Sequence, residues 1–483
     1  MKVVLPFVAA MAVSAAGAIG LTMAEDWPGF RGSRGGAAAD QDLPTKLTQE
    51  NLLWKVKLPG VGTSSPIVVG DKLYLTAYKG YGLTITKGFF GGFGGGFDKG
   101  KGGDKGKGGF DKGKGGGFGG FGKSGPPDPE QKNLKLLLLC FDPAKGTIVW
   151  EKEIAPKLPE VNFNGMFREH GYASSTPVAD GQRLIAFFGK TGVFAFDLDG
   201  KQLWQADVGS ETHMWGTASS PVIFQDVVIV NACIESKSLI GLDKKTGKEI
   251  WRAKSIGTCW GSPALVETKD GKTEVVMSWP GKLVGYDPLT GKELWNCEGI
   301  GAGGGGFGGG GGGGFGGGFG GGYTSSTPVV KDGIIYAIGG GGPMPASALA
   351  VKAGGSGDVS KTHVIWRQKA GASTCSPVIV GDHLCWVDGT VQCLSLADGK
   401  SVHKDRLYDT RGGEYVSAVA AGAKLFALTR FDGLFVLDAA AKFTKLDHHE
   451  FVGDTSIFNA SPAISNGRLY LRSNAYLYCI GKK

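Results

Sequence analysis

The stretch Gly241-Leu242-Asp243-Lys244-Lys245-Thr246-Gly247-Lys248-Glu249-Ile250-Trp251 stands in several related copies, and a repeat constrains a fold more than any other sequence feature. It reads as a strand, a tight turn and a second strand ending in Trp. Gly247 supplies the positive φ that the turn needs. Asp243 is placed to accept hydrogen bonds from the turn's backbone amides. Related copies run from Asp142 to Trp150, Asp197 to Trp204 and Asp287 to Trp295.

A second marker precedes each such unit: a hydroxyl residue followed by Pro, then an apolar run and a turn. Its copies are Ser65-Pro66, Thr176-Pro177, Ser220-Pro221, Ser262-Pro263, Thr327-Pro328, Ser376-Pro377 and Ser461-Pro462, with Ser417-Ala418 as a degenerate eighth. The successive spacings are 111, 44, 42, 65, 49, 41 and 44 residues. The two longest contain Gly-rich inserts, and without them the period is near 42. Inside one period, Val178-Ala179, Leu184 to Phe188, Val193 to Phe196 and Gln202 to Trp204 read as four short strands joined by Gly turns. Four strands in such a period predict a β-propeller blade, and eight markers predict eight blades.

The last period supplies three strands only. Leu52 to Leu58, with Trp54, has the pattern of a fourth. The expected fold is therefore an all-β, eight-bladed propeller of four-stranded antiparallel blades, closed by an N-terminal strand that completes the last blade. Closure removes open strand edges, which otherwise template aggregation. The repeat decays late in the chain. Ser395 and His403 replace the Asp and Trp of the sixth period, and Asp438 is followed by no Trp in the seventh.

Residues 1–24 have the pattern of an export signal: Lys2, an apolar stretch from Val3 to Met23, then Ala24 at a small-residue cleavage site. The mature chain is then exported, to the periplasm or beyond, as one propeller over 25–483. The chain holds 86 Gly, many of them in two blocks, 80–133 (Gly/Lys/Phe) and 299–322 (Gly/Phe). Neither block can bury enough apolar surface to offset the entropy of ordering, so both are expected to be disordered. The first lies between the second and third strands of blade one, the second between blades four and five. The net charge of +8 falls partly in the first block, so it does not indicate a nucleic-acid surface. Of eight Cys, none forms a Cys-x-x-Cys pair. Cys385 and Cys393 flank a hairpin turn, compatible either with a disulfide in an exported protein or with two buried thiols.

The form Ala/Gly-x-Asp-x-x-Thr-Gly-x-x-x-Trp resembles the tryptophan-docking repeat of the quinoprotein, or PQQ-like, β-propeller superfamily. Gly241 to Trp251 and Gly285 to Trp295 match it at every fixed position. The resemblance implies that Trp54, Trp150, Trp204, Trp251, Trp295 and Trp366 pack between blades and bond to a neighbour's backbone. The superfamily includes quinone-dependent dehydrogenases and non-enzymatic members of the outer-membrane assembly type. The dehydrogenases bind PQQ with calcium, and many carry adjacent cysteines on the quinone. This sequence has no adjacent cysteines, and no carboxylate, amide and Asp-base set can be matched residue by residue. PQQ with calcium is therefore unsupported, and no cofactor or metal is assigned.

The loops joining the fourth strand of one blade to the first of the next carry the distinctive side chains: Arg168, Glu169, His170, Tyr172, Glu211, His213, Trp215, Trp260, Tyr323, Arg411, Glu414, Tyr415 and Asn459. Propeller geometry gathers these loops at one mouth of the central channel. Aromatic and polar groups around a concave mouth suit a polar small ligand, a sugar or a peptide. Glu169, His170, Glu211 and His213 are all legitimate metal ligands, but no spacing rule joins them. Either His could act as a base, yet no nucleophile partners it. The reading favoured is a monomeric, non-catalytic binding or scaffold module of the cell envelope, working on envelope proteins or a polar ligand through its loop face. The alternative is a PQQ- or metal-dependent oxidoreductase with its site at the channel mouth.

Overall fold

Eight antiparallel sheets follow one another in chain order, each built on the strand pattern A-B-C-D expected from one sequence period. The computed structural model describes residues 25–83, 126–300, 325–341, 344–408, 414–439 and 443–483. The signal-like residues 1–24, most of both Gly-rich blocks, Tyr323 and Arg411 lie outside them. Blade one holds strands Ile67–Val69, Lys72–Lys79, Lys135–Phe141 and Ile148–Ile154. Its long block thus enters between B and C. Blade three, the clearest copy of the repeat, holds Val222–Phe224, Val227–Ala232, Ser238–Asp243 and Glu249–Lys254. Blade eight takes A, B and C from Ala463–Ser465, Arg468–Arg472 and Tyr476–Gly481, and its D strand is Leu52–Lys57 from the other end of the chain. The ring is closed as the sequence implies. Among the described residues no helix is long and apolar enough to cross a membrane.

B and C strands read as unbroken apolar runs because each blade buries both faces. In blade one, Leu73, Leu75, Leu137 and Leu139 pack toward blade eight, against Leu469 and Leu471. The alternate residues Tyr74, Leu136 and Leu138 pack toward blade two, against Leu184, Phe194 and Phe196. Each such side chain contributes about 1.5–3 kcal/mol by leaving water.

The repeat motif is the joint between blades. Trp204 Nε1 donates to Lys244 O of the next blade at 2.9 Å, and Trp251 Nε1 to Pro288 O at 3.1 Å. Trp54, Trp150 and Trp366 make the equivalent bonds to Pro143, Leu198 and Leu396. A Cβ on Gly247 (φ 72°) would stand 2.6 Å from the Trp204 ring, so that Gly is fixed by contact as well as by turn geometry. The residue across the ladder from each Trp is also small: Gly241 opposite Trp251, Ala195 opposite Trp204, Cys140 opposite Trp150 and Cys479 opposite Trp54. Two of the scattered cysteines are thus seats for an indole.

Trp295 departs from the expected bond to a neighbour's backbone. Its Nε1 donates to Glu274 Oε2 of its own blade at 2.8 Å. The reason lies in blade five, whose lengthened C-to-D connection has no Asp-x-x-Thr-Gly turn to offer a carbonyl. That connection instead lays Gly357–Asp358 parallel to the D strand of blade four, and Gly354 N donates to the same Glu274 oxygen. In blade six, Cys385 and Cys393 are cross-strand partners 4.1 Å apart at Cα and are joined as a disulfide.

Residues before Leu52 cross the end of the channel opposite the D-to-A loops. Trp27 exchanges backbone bonds with Val68, Pro28 O accepts from Ala179 N, and Gly36 O accepts from Ala420 N. This places Phe30 and Arg31 under the axis.

Candidate functional site at the channel mouth

The Ser/Thr-Pro marker lines the axis. Ser65 N donates to Thr176 Oγ1 at 2.9 Å, Thr176 N to Ser220 Oγ, Ser220 N to Ser262 Oγ and Ser262 N to Thr327 Oγ1. Thr327 N, Ser376 N and Ser417 N continue the series to Ser376, Ser417 and Ser461, all at 2.9–3.0 Å. Seven hydroxyl bonds therefore pass from blade to blade around the channel. This explains the residue type. Each position needs an oxygen one atom beyond Cβ to accept the preceding blade's amide, which would otherwise be buried without a partner. Ser417 keeps that oxygen although its Pro is lost.

Above this ring lies a cavity of about 210 Å³, floored by Phe30 and walled by His170, Trp215, Trp260, Tyr415 and Asn459. Trp215 and Trp260 have ring centroids 5.2 Å apart, and Trp260 Nε1 donates to Gly216 O at 2.9 Å. The imidazole of His213 meets the Trp260 ring edge-on at 5.1 Å, and its Nδ1 accepts from Trp215 N. His170 Nδ1 bonds Ser174 Oγ at 2.7 Å. Loss of solvation pushes the His170 pKa down to about 4, so the ring is neutral at pH 7.

The loop carboxylates do not face this cavity. Glu169 is buried and ion-paired with buried Arg430 at 2.7 Å. Arg430 Nε also donates to Asn459 Oδ1 at 2.9 Å, Asn459 Nδ2 donates to Glu169 O, and the guanidinium lies 4.4 Å from the Tyr415 ring centre. Burial raises the Glu169 pKa while Arg430 opposes the rise. Glu414 is buried too. It accepts from Tyr408 OH at 2.7 Å and from the amides of Arg430 and Val416, and burial raises its pKa to about 7.

Other expected site residues sit away from the axis, and His213, in contact with Trp260, reaches both cavities. Tyr172, Glu211 and His213 line a smaller cavity of about 40 Å³ between blades two and three, together with Glu160 and Glu235. Burial raises both of these carboxyls to about 7, and Thr217 Oγ1 donates to Glu235. Tyr172 OH donates to Val161 O at 2.5 Å. Arg168 Nε donates to Phe163 O, away from the axis. The loop sequence could not separate these fates, because loops carry no period from which a side chain's direction is read. Arg430 and Phe30 were missed for related reasons: one lies in a B-to-C turn and the other in a segment outside the repeat.

A calcium-bound quinone asks for carboxylate and amide ligands free to turn to the metal. Here Glu169 is held by Arg430, and Asn459 bridges the two. Among the described residues no three His, Cys, Asp or Glu side chains come together as a metal-holding group. The donor set does not fit that cofactor, and no chemistry is derived through it.

The ring, the indole joints and the axial cavity together define a PQQ-like β-propeller. Residues 136–405 match the family described as outer membrane protein assembly factor BamB, and the chain belongs to that family. No curated protein matches. Among solved structures, BamB from Moraxella catarrhalis is 15% identical over 71% of this chain and 91% of its own, with a TM-score of 0.49. Quinohemoprotein alcohol dehydrogenase from Comamonas testosteroni is 12% identical over 95% of this chain and 80% of its own, with a TM-score of 0.51. Quinohemoprotein alcohol dehydrogenase ADHIIG from Pseudomonas putida HK5 is 9% identical over the same shares, with a TM-score of 0.51. At these identities the likeness is one of fold.

Proposed function

We propose that the chain is a binding and scaffold propeller of the cell envelope that takes its partner or ligand through the D-to-A loop face. One observation carries this reading. The axial mouth presents aromatic rings, a neutral imidazole and an amide, while the nearby carboxylates are engaged in bonds that hold the loops together. Such a lining binds a polar group or an inserted side chain, and Ser174, bonded to His170 Nδ1 and accepting from Thr63 Oγ1, belongs to the hydroxyl network of the wall. The family description, an outer membrane assembly factor, supports the envelope placement. His170, Trp215, Trp260, Tyr415 and Asn459 would make the contacts.

The test is affinity capture of the exported full chain from its own envelope, beside Trp215→Ala and Tyr415→Ala. A partner that co-purifies with the parent chain and falls at least tenfold with both variants supports the reading. An unchanged partner set would place the interface elsewhere. Dye reduction by the chain supplied with PQQ and calcium would instead favour the oxidoreductase reading.

A further inference from the structure

Each ring hydroxyl accepts one bond and has its O–H donation still to place. Thr176, Ser220, Ser262, Thr327, Ser376, Ser417 and Ser461 each accept a backbone amide. All are more than nine-tenths buried, and all line the axial cavity. None donates its O–H to a described protein acceptor. An oxygen that accepts an N–H makes its own O–H a stronger donor. The axis is thus encircled by donors that want an acceptor.

Two guanidiniums flank that ring without a carboxylate. Arg31, 1% exposed, comes from the plug segment and donates through Nη2 to the carbonyl of Pro377, the residue after ring member Ser376. Its Nε and Nη1 are buried with no partner. Arg31 shares a second cavity, of about 520 Å³, with ring members Ser220, Ser262 and Thr327. Arg472, fully buried in blade eight, donates through Nη1 to Ser64 O, Ser64 Oγ and Thr76 O, beside ring member Ser65. Its Nε and Nη2 are likewise buried and unpartnered. Burial lowers both pKa values to about 9, which leaves both side chains cationic at neutral pH. A buried charge is costly unless paired. Guanidinium and hydroxyl donors are the groups that bind oxyanions.

We propose that the channel axis holds a small inorganic oxyanion of the phosphate or sulfate type, seated in the second cavity on Ser220, Ser262 and Thr327 of the ring and compensating Arg31. Arg472 lies in the seam between blades eight and one and lines neither cavity. This site lies on the plug side of the ring, and Phe30, Ser220, Ser262 and Thr327 line both it and the aromatic mouth.

The probe is inorganic phosphate, titrated by calorimetry into the full chain in a zwitterionic buffer, against sodium chloride of equal ionic strength. The expected result is saturable binding of one phosphate per chain and a matching rise in Tm. Affinity should fall at least tenfold in Arg31→Gln and in Ser220→Ala, two changes on independent elements. Crystals grown with selenate should show an anomalous peak on the axis, a readout that holds even if a variant does not fold. No heat beyond that of chloride, equal binding by the parent chain and the folded variants, or a selenate peak only on the outer surface would each overturn the proposal.

Discussion

Arg430 and Glu169 are 261 residues apart in the chain and close a 2.7 Å ion pair between a turn of blade seven and the loop that enters blade two. The pair spans blades eight and one and ties together two parts of the mouth that the sheet ladders do not join. Removing one partner leaves the other charge buried and costs about 3–5 kcal/mol. Glu169→Ala should therefore lower the free energy of urea unfolding by about that amount. Glu169→Gln with Arg430→Met, which removes both charges, should recover most of it. A double variant no better than the single one would show that the pair does not govern the mouth.

The docking tryptophans should not be equal. Trp204→Phe removes one neutral hydrogen bond, to Lys244 O, and should cost about 1 kcal/mol beyond its loss of packing. Trp295→Phe removes a donor from a buried carboxylate, Glu274, whose other hydrogen-bond donor among the described residues is Gly354 N. Bonds to charged groups are worth about 1.5–3 kcal/mol, so the second substitution should cost more. Chemical denaturation of both variants reads the order directly, and equal costs would refute the special role of Glu274.

These two sites show what the sequence could and could not reveal. Trp204 and its Gly247 were legible because the joint repeats, and a period turns each copy into a witness for the others. The hydroxyl-Pro marker was legible for the same reason, although its purpose as an amide acceptor appears only when neighbouring blades are set side by side. Glu274 was not legible, since it repairs one copy whose neighbour lost its turn. The inward Phe30 and the buried Glu169–Arg430 pair were equally hidden. Their partners are set by ring closure over hundreds of residues, and no local pattern encodes such a distance.

The buried Glu414 makes a pH prediction. Its pKa in the fold, about 7, lies above that of an unfolded Glu. Between about pH 4.5 and 7 the folded chain then holds a proton that the unfolded chain has lost. Its contribution is present in full below about 4.5 and is lost as the pH rises through 7, at up to about 1.4 kcal/mol per unit. His170, with its pKa lowered to about 4, acts in the opposite sense and favours the fold as the pH rises from 4 to 6.5. The two are separated by difference. The stability of the parent chain minus that of Glu414→Gln should fall with pH across this window, and the parent minus His170→Asn should rise. Parallel pH curves for the parent and either variant would disprove the corresponding assignment.

The cysteines give a count that mass spectrometry can check. Eight are in the sequence, Cys385 and Cys393 are joined, and the other six are buried thiols. Alkylation of the unfolded, unreduced chain should add six groups, and reduction beforehand should add eight. The bond closes a loop with a separation of eight residues, so Cys385→Ala with Cys393→Ala should cost about 2–3 kcal/mol by loop entropy. Eight adducts without reduction would mean that the pair stays as thiols.

Ring closure by Leu52–Lys57 carries the last prediction. This strand pairs with Tyr476–Gly481 and sends Trp54 Nε1 to Pro143 O of blade one, so it serves both as the edge of blade eight and as the seam to the next blade. A chain lacking residues 25–57 would expose the C strand of blade eight as an open edge, its Tyr478 and Ile480 losing their partners Lys55 and Leu52. Open apolar edges recruit strands from other chains. The truncated protein should elute in size-exclusion chromatography with light scattering as oligomers and aggregates. A synthetic peptide of residues 45–60 supplied in excess should reverse this and raise the Tm, because it returns both the ladder and the indole. A truncated chain that stays monodisperse at the size of the parent, indifferent to the peptide, would show that the ring holds without its N-terminal strand.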